Sequence, residues 1–250
     1  MDHSAHFQFH GSLAKLAVTS SAEETVDYSF NGHPAVKDAI EALGVPHTEV
    51  DVITVNGQSV GLDHSLEGGD VVGVFPFAWR LDCEPLVRLI PSPPEPLSFI
   101  LDVHLGKLAR RLRLLGFDTL YRNDFSDPEI ARRATAEGRI VLTRDRGLLK
   151  RKTVRHGCLL TSGDLQQQLE VLQNRYGVLD RIKPLVRCPV CNGPLREVDK
   201  TEIADQLQPK TMRHQHDFRR CVDCGKIYWR GSHAEKILAW LRQIRGRRGL

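Results

Sequence analysis

Residues 99–124 read FILDVHLGKLARRLRLLGFDTLYRND, and their pattern decides the fold class. An apolar strand over 97–101 ends on Asp102. An amphipathic helix follows over 104–115, with Leu105, Leu108, Leu112 and Leu115 on one face and Arg110, Arg111 and Arg113 mostly elsewhere; Gly116 closes it. Residues 119–121 form a second short strand. Further out, Ser126-Asp127-Pro128-Glu129 fits a capping box that opens a helix to about 136. A third strand covers 140–143, a fourth 158–161, and a last helix runs over about 164–175. Strands alternating with helices predict a parallel sheet in a layered α/β domain.

In an open parallel sheet the ligand site lies outside the carboxyl ends of the strands. Asp102 follows the first strand here, Asn123, Asp124, Asp127 and Glu129 the second, Arg144 and Asp145 the third, and Asp164 the fourth. Carboxylates delivered to one edge repel unless a cation neutralises them, and oxygen-rich sites of this kind suit magnesium or manganese. Such an ion positions a phosphodiester, activates an attacking water and stabilises the leaving oxygen. Several acids also have local explanations. Asp164 suits a helix N-cap, Asp127 and Glu129 complement a helix dipole, and Asp124 suits a turn. Asp102 and Asp145 have no such local need.

The remainder of the chain divides around Pro91-Ser92-Pro93-Pro94-Glu95-Pro96, which can hold neither helix nor central strand. The expected organisation is a first domain over 1–79, a Pro-rich linker over 80–96, the α/β domain over 97–180 and a cysteine-bearing domain over 181–250. In the first domain Val36, Ala39, Ile40 and Leu43 give a helical stripe stopped by Gly44. A strand over 52–55 ends at the tight turn Asn56-Gly57, and Gly68-Gly69-Asp70 leads into a strand over 71–75. Residues 1–96 hold 4 Lys+Arg and 14 Asp+Glu against 31 and 17 in residues 97–250, a balance of −10 against +14. This asymmetry points to two domains with different tasks, the basic one suited to a polyanion. No run of about 18 apolar residues exists to span a membrane. The opening MDHSAHFQFHGSL lacks a basic region followed by an apolar one, so a cytoplasmic protein without a secretory signal is expected.

Four of the six cysteines form two CxxC pairs, Cys188/Cys191 and Cys221/Cys224, separated by 29 residues. Each pair is followed by turn residues, Asn192-Gly193 and Gly225, as a four-cysteine zinc ribbon requires; the long gap implies an inserted hairpin or loop. Such a site is structural and supplies folding energy. His214 and His216 lie in the gap, but four thiolates already complete a tetrahedron. Cys83 and Cys158 read as structural. Tyr228 and Trp229 beside arginines suit base stacking, or packing against the ribbon. Ser232 and Glu235 predict a capped helix carrying Ile237, Leu238, Leu241 and Ile244, ahead of a basic tail at 245–248.

Two resemblances follow from these motifs. The stretch VITVNGQSVGLDHSLEGGDVVGVFP over 52–76 resembles the last half of a ubiquitin-like β-grasp domain of the sulfur-carrier type. Those carriers end in a free Gly-Gly tail, whereas this strand runs on through Pro76, Phe77 and Trp79, which disfavours a sulfur-transfer role. FILDVHLGKLARRLRLLGFDTLYRND and RIVLTRDRGLL (139–149) resemble the Mut-seven C-terminal RNase family, a branch of the PIN-like nucleases, over about 97–250. The resemblance implies a PIN-like three-layer α/β domain, a zinc ribbon and a metal-dependent ribonuclease. Asp102 and Asp145 match its core acids; Asp124 and Asp127 fall in a variable acidic stretch, and Asp164 corresponds by position alone.

The expected function is metal-dependent hydrolysis of RNA by an endoribonuclease, with magnesium or manganese on Asp102 and Asp145 and zinc on the cysteines. Arg110, Arg111, Arg113, Arg144, Arg146 and Trp229 are the candidate RNA contacts, and Lys150-Arg151-Lys152 a further nonspecific one. The alternative is a non-catalytic RNA- or ribosome-binding protein. The acidic first domain either folds back over the basic surface or recruits a protein partner.

Overall fold

The computed structural model describes residues 3–18, 25–81 and 86–229. Cys83, the helix expected from Ser232 and the basic tail lie outside the described residues. In chain order the elements begin with β1 (His3–Phe9), β2 (Thr25–Phe30), α1 (Val36–Ala42), β3 (Val50–Val55), β4 (Gln58–Val60) and β5 (Val71–Pro76). β6 (Ser98–Leu101), α2 (Gly106–Leu114), β7 (Asp118–Tyr121), α3 (Asp127–Glu137), β8 (Ile140–Thr143), α4 (Arg146–Leu149) and β9 (Gly157–Leu159) follow. The last are α5 (Leu165–Tyr176), β10 (Leu195–Glu197), α6 (Pro209–His214), β11 (Phe218–Cys221) and β12 (Ile227–Trp229). The chain forms two compact units, one of Met1–Leu105 with Tyr121–Gly163, the other of Gly106–Leu120 with Asp164–Leu250.

The first unit contains a β-grasp sheet in the order β2-β1-β5-β3-β4, with β1 and β5 parallel. α1 contributes Val36, Ala39 and Ile40 to a core shared with Phe7, Ile53, Leu66 and Val74, all fully buried. The β3–β4 hairpin turns on Asn56 (φ 50°) and Gly57 (φ 83°), the two consecutive left-handed residues that a two-residue turn of this hand demands. Asn56 also donates from Nδ2 to the buried Asp70 carboxylate at 2.8 Å, while Asp70 accepts from Glu67 N–H at 2.8 Å. The Pro-rich connection is less detached than its composition suggests. Leu89 N–H donates to Asp51 O at 2.8 Å and Arg88 pairs with Asp51 at 2.5 Å, so residues 86–89 are tied to the β-grasp sheet.

The same unit holds β6, β8 and β9 side by side in that order, parallel as the alternating pattern predicts. Phe99, Ile100, Leu101, Ile140, Val141 and Leu142 are fully buried, each contributing roughly 1.5–3 kcal/mol if a large side chain. β9 is an edge strand, and the β-grasp domain covers it. Leu159 N–H donates to the Glu49 carboxylate at 2.8 Å, and a Cβ added at Gly157 would stand 3.2 Å from the Thr48 side chain. Arg146 donates to Leu16 O at 2.6 Å and the Lys150 ammonium donates to Glu41 O. The first domain thus holds two cations of the basic half through backbone carbonyls. We expect Glu49→Ala to orphan the Leu159 N–H and lower stability by about 1–2 kcal/mol, read in thermal unfolding.

In the second unit α2 ends where Gly116 (φ 98°) brings the chain so close to Lys183 that an added Cβ would meet Lys183 O at 1.9 Å. α5 begins at the N-cap Asp164 and ends at Gly177 in the left-handed region. β10, β11 and β12 make a three-stranded antiparallel sheet. The long insertion expected between the cysteine pairs contains a 3-10 helix (Lys200–Gln206) and α6. Among the described residues no helix is long and apolar enough to cross a membrane.

Candidate active site and cysteine centre

Asp102 stands directly beyond β6, and Asp145 two residues beyond β8, so the parallel pairing of these strands brings both acids to one edge. Asp102 is buried, 5% exposed, and its carboxylate accepts three hydrogen bonds. His104 N–H donates to Oδ1 at 2.9 Å, Arg144 N–H to Oδ2 at 3.0 Å, and the Thr143 hydroxyl also to Oδ2. Thr143 Oγ1 in turn accepts from Asp145 N–H at 2.8 Å. This fully buried hydroxyl therefore ties the backbone of one acid to the side chain of the other. Asp145 is exposed and caps α4, accepting from Gly147 N–H at 2.8 Å through Oδ1.

This cap corrects the expectation that the Asp145 position has no local need for an acid, and Asp124 and Asp164 are engaged locally as well. Asp124 is exposed and forms a two-pronged pair with Arg122, at 2.8 and 2.6 Å, which lowers its pKa. Asp127 starts α3 beside Pro128. The expected capping box does not form, because Ser126 makes no side-chain cap and Glu129 instead pairs with Arg133 at 3.0 Å. Asp164 belongs to the second unit and caps α5, accepting from Gln167 N–H at 2.9 Å. Among the described residues, no three carboxylates lie close enough to grip one ion.

The candidate RNA contacts also separate. Arg110 and Arg144 are exposed. Arg111 is half-buried, and burial and the neighbouring Arg110 both lower its pKa. Arg113 needs correction: it is 6% exposed, and its guanidinium donates to Thr119 O at 2.9 Å and Val190 O at 2.8 Å, so it is an interior strut. Arg146 and Lys150 are held by carbonyls of the β-grasp domain. Trp229 packs beside Phe218, ring centroids 6.1 Å apart, yet keeps 37% of its surface exposed.

Cys188, Cys191, Cys221 and Cys224 converge with all four Sγ atoms within 4.8 Å of one another. Their two loops share one geometry. Cys188 N–H donates to Gly193 O at 2.7 Å and Asn192 N–H to Cys188 O at 2.9 Å; Cys221 N–H donates to Lys226 O at 2.9 Å and Gly225 N–H to Cys221 O at 3.0 Å. Asn192 and Gly225 both have φ 71°. Sulfur separations of 3.7 Å (Cys188–Cys224) and 3.4 Å (Cys191–Cys221) are near the ~3.8 Å of a tetrahedral ion with ~2.3 Å bonds to sulfur. Burial raises the Cys188 pKa, but Cys191 N–H, the Tyr228 hydroxyl 3.1 Å away and Val190 N–H outweigh it and hold the thiol at about 6. Burial pushes Cys191 up to about 12, and its three sister thiols add to the effect. Four thiolates this close need a cation, and the donor set suits a soft divalent metal. His214 and His216 are not part of this group. His216 lines a cavity of about 630 Å³ with Glu197, Asp199, Glu202, Asp217 and Arg219.

The Mut7-C RNAse domain model matches residues 97–241 and the Mut7-C ubiquitin model residues 2–82. The chain belongs to the Mut7-C RNAse domain family. The family match takes in Asp102, Asp145 and all four cysteines. No curated protein gives a significant match. Among solved structures, small archaeal modifier protein 1 of H. volcanii is 19% identical over 30% of this chain and 97% of that one, with TM-score 0.25. The putative molybdopterin converting factor subunit 1 from Pyrococcus furiosus is 27% identical over 30% and 97%, with TM-score 0.24. In this Mut7-C chain Thr143 is a site-builder that the sequence reading missed, whereas Asn192, expected as a turn residue of the ribbon, also bonds Thr119 and Asp118. A hydroxyl ending the apolar run Ile140–Thr143 was the available signal for Thr143.

Proposed function

We propose that this Mut7-C chain is a metal-dependent endoribonuclease acting at Asp102 and Asp145. The observation that supports it best is the Thr143 bridge, which ties the buried Asp102 carboxylate to the Asp145 backbone N–H at the carboxyl edge of a parallel sheet. Asp102 is immobilised by three donors, while Asp145 presents an exposed carboxylate. Together they would hold magnesium or manganese, which when bound lowers the pKa of water and stabilises the leaving oxygen. The protein's own contribution is positioning. Asp102 fixes the edge of the site, Thr143 sets the spacing, and the exposed Arg144 attracts a substrate phosphate. Arg110, Arg111 and Trp229 remain candidate RNA contacts. Zinc on the four cysteines is structural in this reading. This reading keeps domains over 1–79, 97–180 and 181–250 with a Pro-rich linker over 80–96, a cytoplasmic location, and a surface on the ubiquitin-like domain for a protein partner.

A non-catalytic RNA- or ribosome-binding protein is the competing reading, favoured by the local engagement of Asp124, Asp145 and Asp164. One assay separates them. Full-length protein and Asp145→Asn are incubated with structured and single-stranded RNA in manganese, magnesium or EDTA. The nuclease reading expects metal-dependent cutting that falls by ~10³-fold in the variant, about 4 kcal/mol of barrier, with RNA affinity retained. Equal binding by both proteins and no cutting by either supports the binding module.

A further inference from the structure

The loop between α4 and β9 leads into the amino end of β9, the edge of the sheet opposite Asp102 and Asp145. Three side chains of this loop, Arg151, Lys152 and Arg155, are exposed. Elsewhere in the unit Arg88, Arg122, Arg133 and Arg139 each pair with a carboxylate. Among the described residues Arg151, Lys152 and Arg155 have no such partner. The loop is nonetheless rigidly seated. Val154 is 1% exposed and anchors it, Val154 N–H donates to Arg151 O at 2.9 Å, and Thr135 Oγ1 of α3 donates to Thr153 O at 2.8 Å. Arg132, one helical turn before Thr135, is exposed on the same face of α3 and adds a fourth cation beside the loop.

Like charges gathered without carboxylates, on a backbone pinned by a buried valine, cost stability and repel unless a polyanion sits on them. We propose that Arg151, Lys152, Arg155 and Arg132 form a second RNA-backbone site, an exosite for phosphates several nucleotides from the scissile one. The proposal rests on the ribonuclease reading. β6, β8 and β9 are only three or four residues long, so ~10–14 Å of strand separates the two edges. A long single strand can reach both edges, whereas a short oligonucleotide reaches only one. The exosite therefore selects for RNA length and supplies no base readout, because guanidinium and ammonium groups here would meet phosphates.

The test uses the full chain with Arg151→Ala, Lys152→Ala and Arg155→Ala combined, and Lys152→Glu alone as a second variant. Binding to oligouridine is measured over a salt series in the Asp145→Asn background, with a short oligonucleotide and one several times longer. Cleavage of both is measured with Asp145 intact. Loss of three phosphate contacts on a single strand should flatten the log–log salt slope by about 2 and weaken long-RNA binding by about tenfold at low salt. KM for the long RNA should rise while cleavage of the short one stays at the parent rate. Unchanged slope, affinity and KM on the long RNA, in a parent that binds and cuts it, overturn the exosite and leave the nuclease standing. A parent that neither binds nor cuts RNA of either length overturns both.

Discussion

Asp102→Asn is expected to abolish RNA cleavage and also to lower the melting temperature by several degrees, whereas Asp145→Asn is expected to cut RNA ~10³-fold more slowly in a protein as stable as the parent. Both carboxylates belong to the same proposed centre, so the difference arises from their surroundings. Asp102 is buried under three donors, from His104, Thr143 and Arg144. An asparagine replaces one accepting oxygen by an NH₂ group, which must then face an N–H or O–H with no acceptor between them. A buried donor left unsatisfied costs about 1–3 kcal/mol. Asp145 is exposed, and its side chain caps α4 by accepting from Gly147 N–H. Asparagine caps helices as well as aspartate does, so that bond survives. Single-turnover cleavage and thermal melts of the two variants, side by side, make the comparison. Asp102→Asn that cuts RNA at the parent rate removes Asp102 from the site. Thr143→Val is the intermediate case. It leaves both carboxylates in place but removes the hydroxyl that ties Asp102 to the Asp145 backbone, and a loss of roughly 10–100-fold in activity is expected, the range seen when partners of metal-binding side chains are removed.

Some of the candidate site was legible in the sequence and some was not. Asp102 and Asp145 could be read because each follows an apolar run whose length and composition mark a buried strand, and the edge rule then places what comes next. The turn at Asn56-Gly57 and the stop at Gly116 could be read because only certain residues tolerate those backbone angles. The fate of the arginines could not. Arg110, Arg111 and Arg113 are near neighbours on one helix, yet Arg113 alone is buried, because the acceptors that satisfy it are Thr119 O, close in sequence, and Val190 O, distant in sequence. No local pattern encodes a backbone carbonyl 77 residues away. Arg146 and Lys150 were hidden for the same reason, their partners being Leu16 O and Glu41 O in a different domain. Ser126 and Glu129 fail in the other direction: the capping-box spacing is present, but Arg133 one turn along competes for the glutamate.

The largest stability effect is expected at the cysteines. Cys221→Ser, or exhaustive chelation of the parent, should release bound zinc and unfold the ribbon, since structural sites of this type contribute roughly 10–16 kcal/mol of apparent binding energy to folding. The loss should not stop at the ribbon. The loop that carries Cys188 and Cys191 is bolted to the end of α2 and the start of β7 within the same unit. Asn192 accepts from Thr119 N–H at 2.9 Å and donates to Asp118 at 2.8 Å, and Arg187 reaches Asp118 at 3.0 Å. Arg113 donates to Val190 O, inside the knuckle itself. When the knuckle melts, a buried guanidinium and a buried amide lose their acceptors, and stranding a buried charge costs about 3–5 kcal/mol. Hydrogen exchange followed by mass spectrometry should then show faster exchange over residues 113–119 as well as over 188–229, with metal content read in parallel. Cys158→Ser, in the fully buried β9, is the matched control that should keep its zinc. If chelation speeds exchange over 188–229 and leaves 113–119 protected, the ribbon is an independent module and Arg113 finds its stability elsewhere. If both segments open together, the metal holds the basic helix in place, and the cysteine centre is as much a part of the RNase domain's architecture as its own sheet.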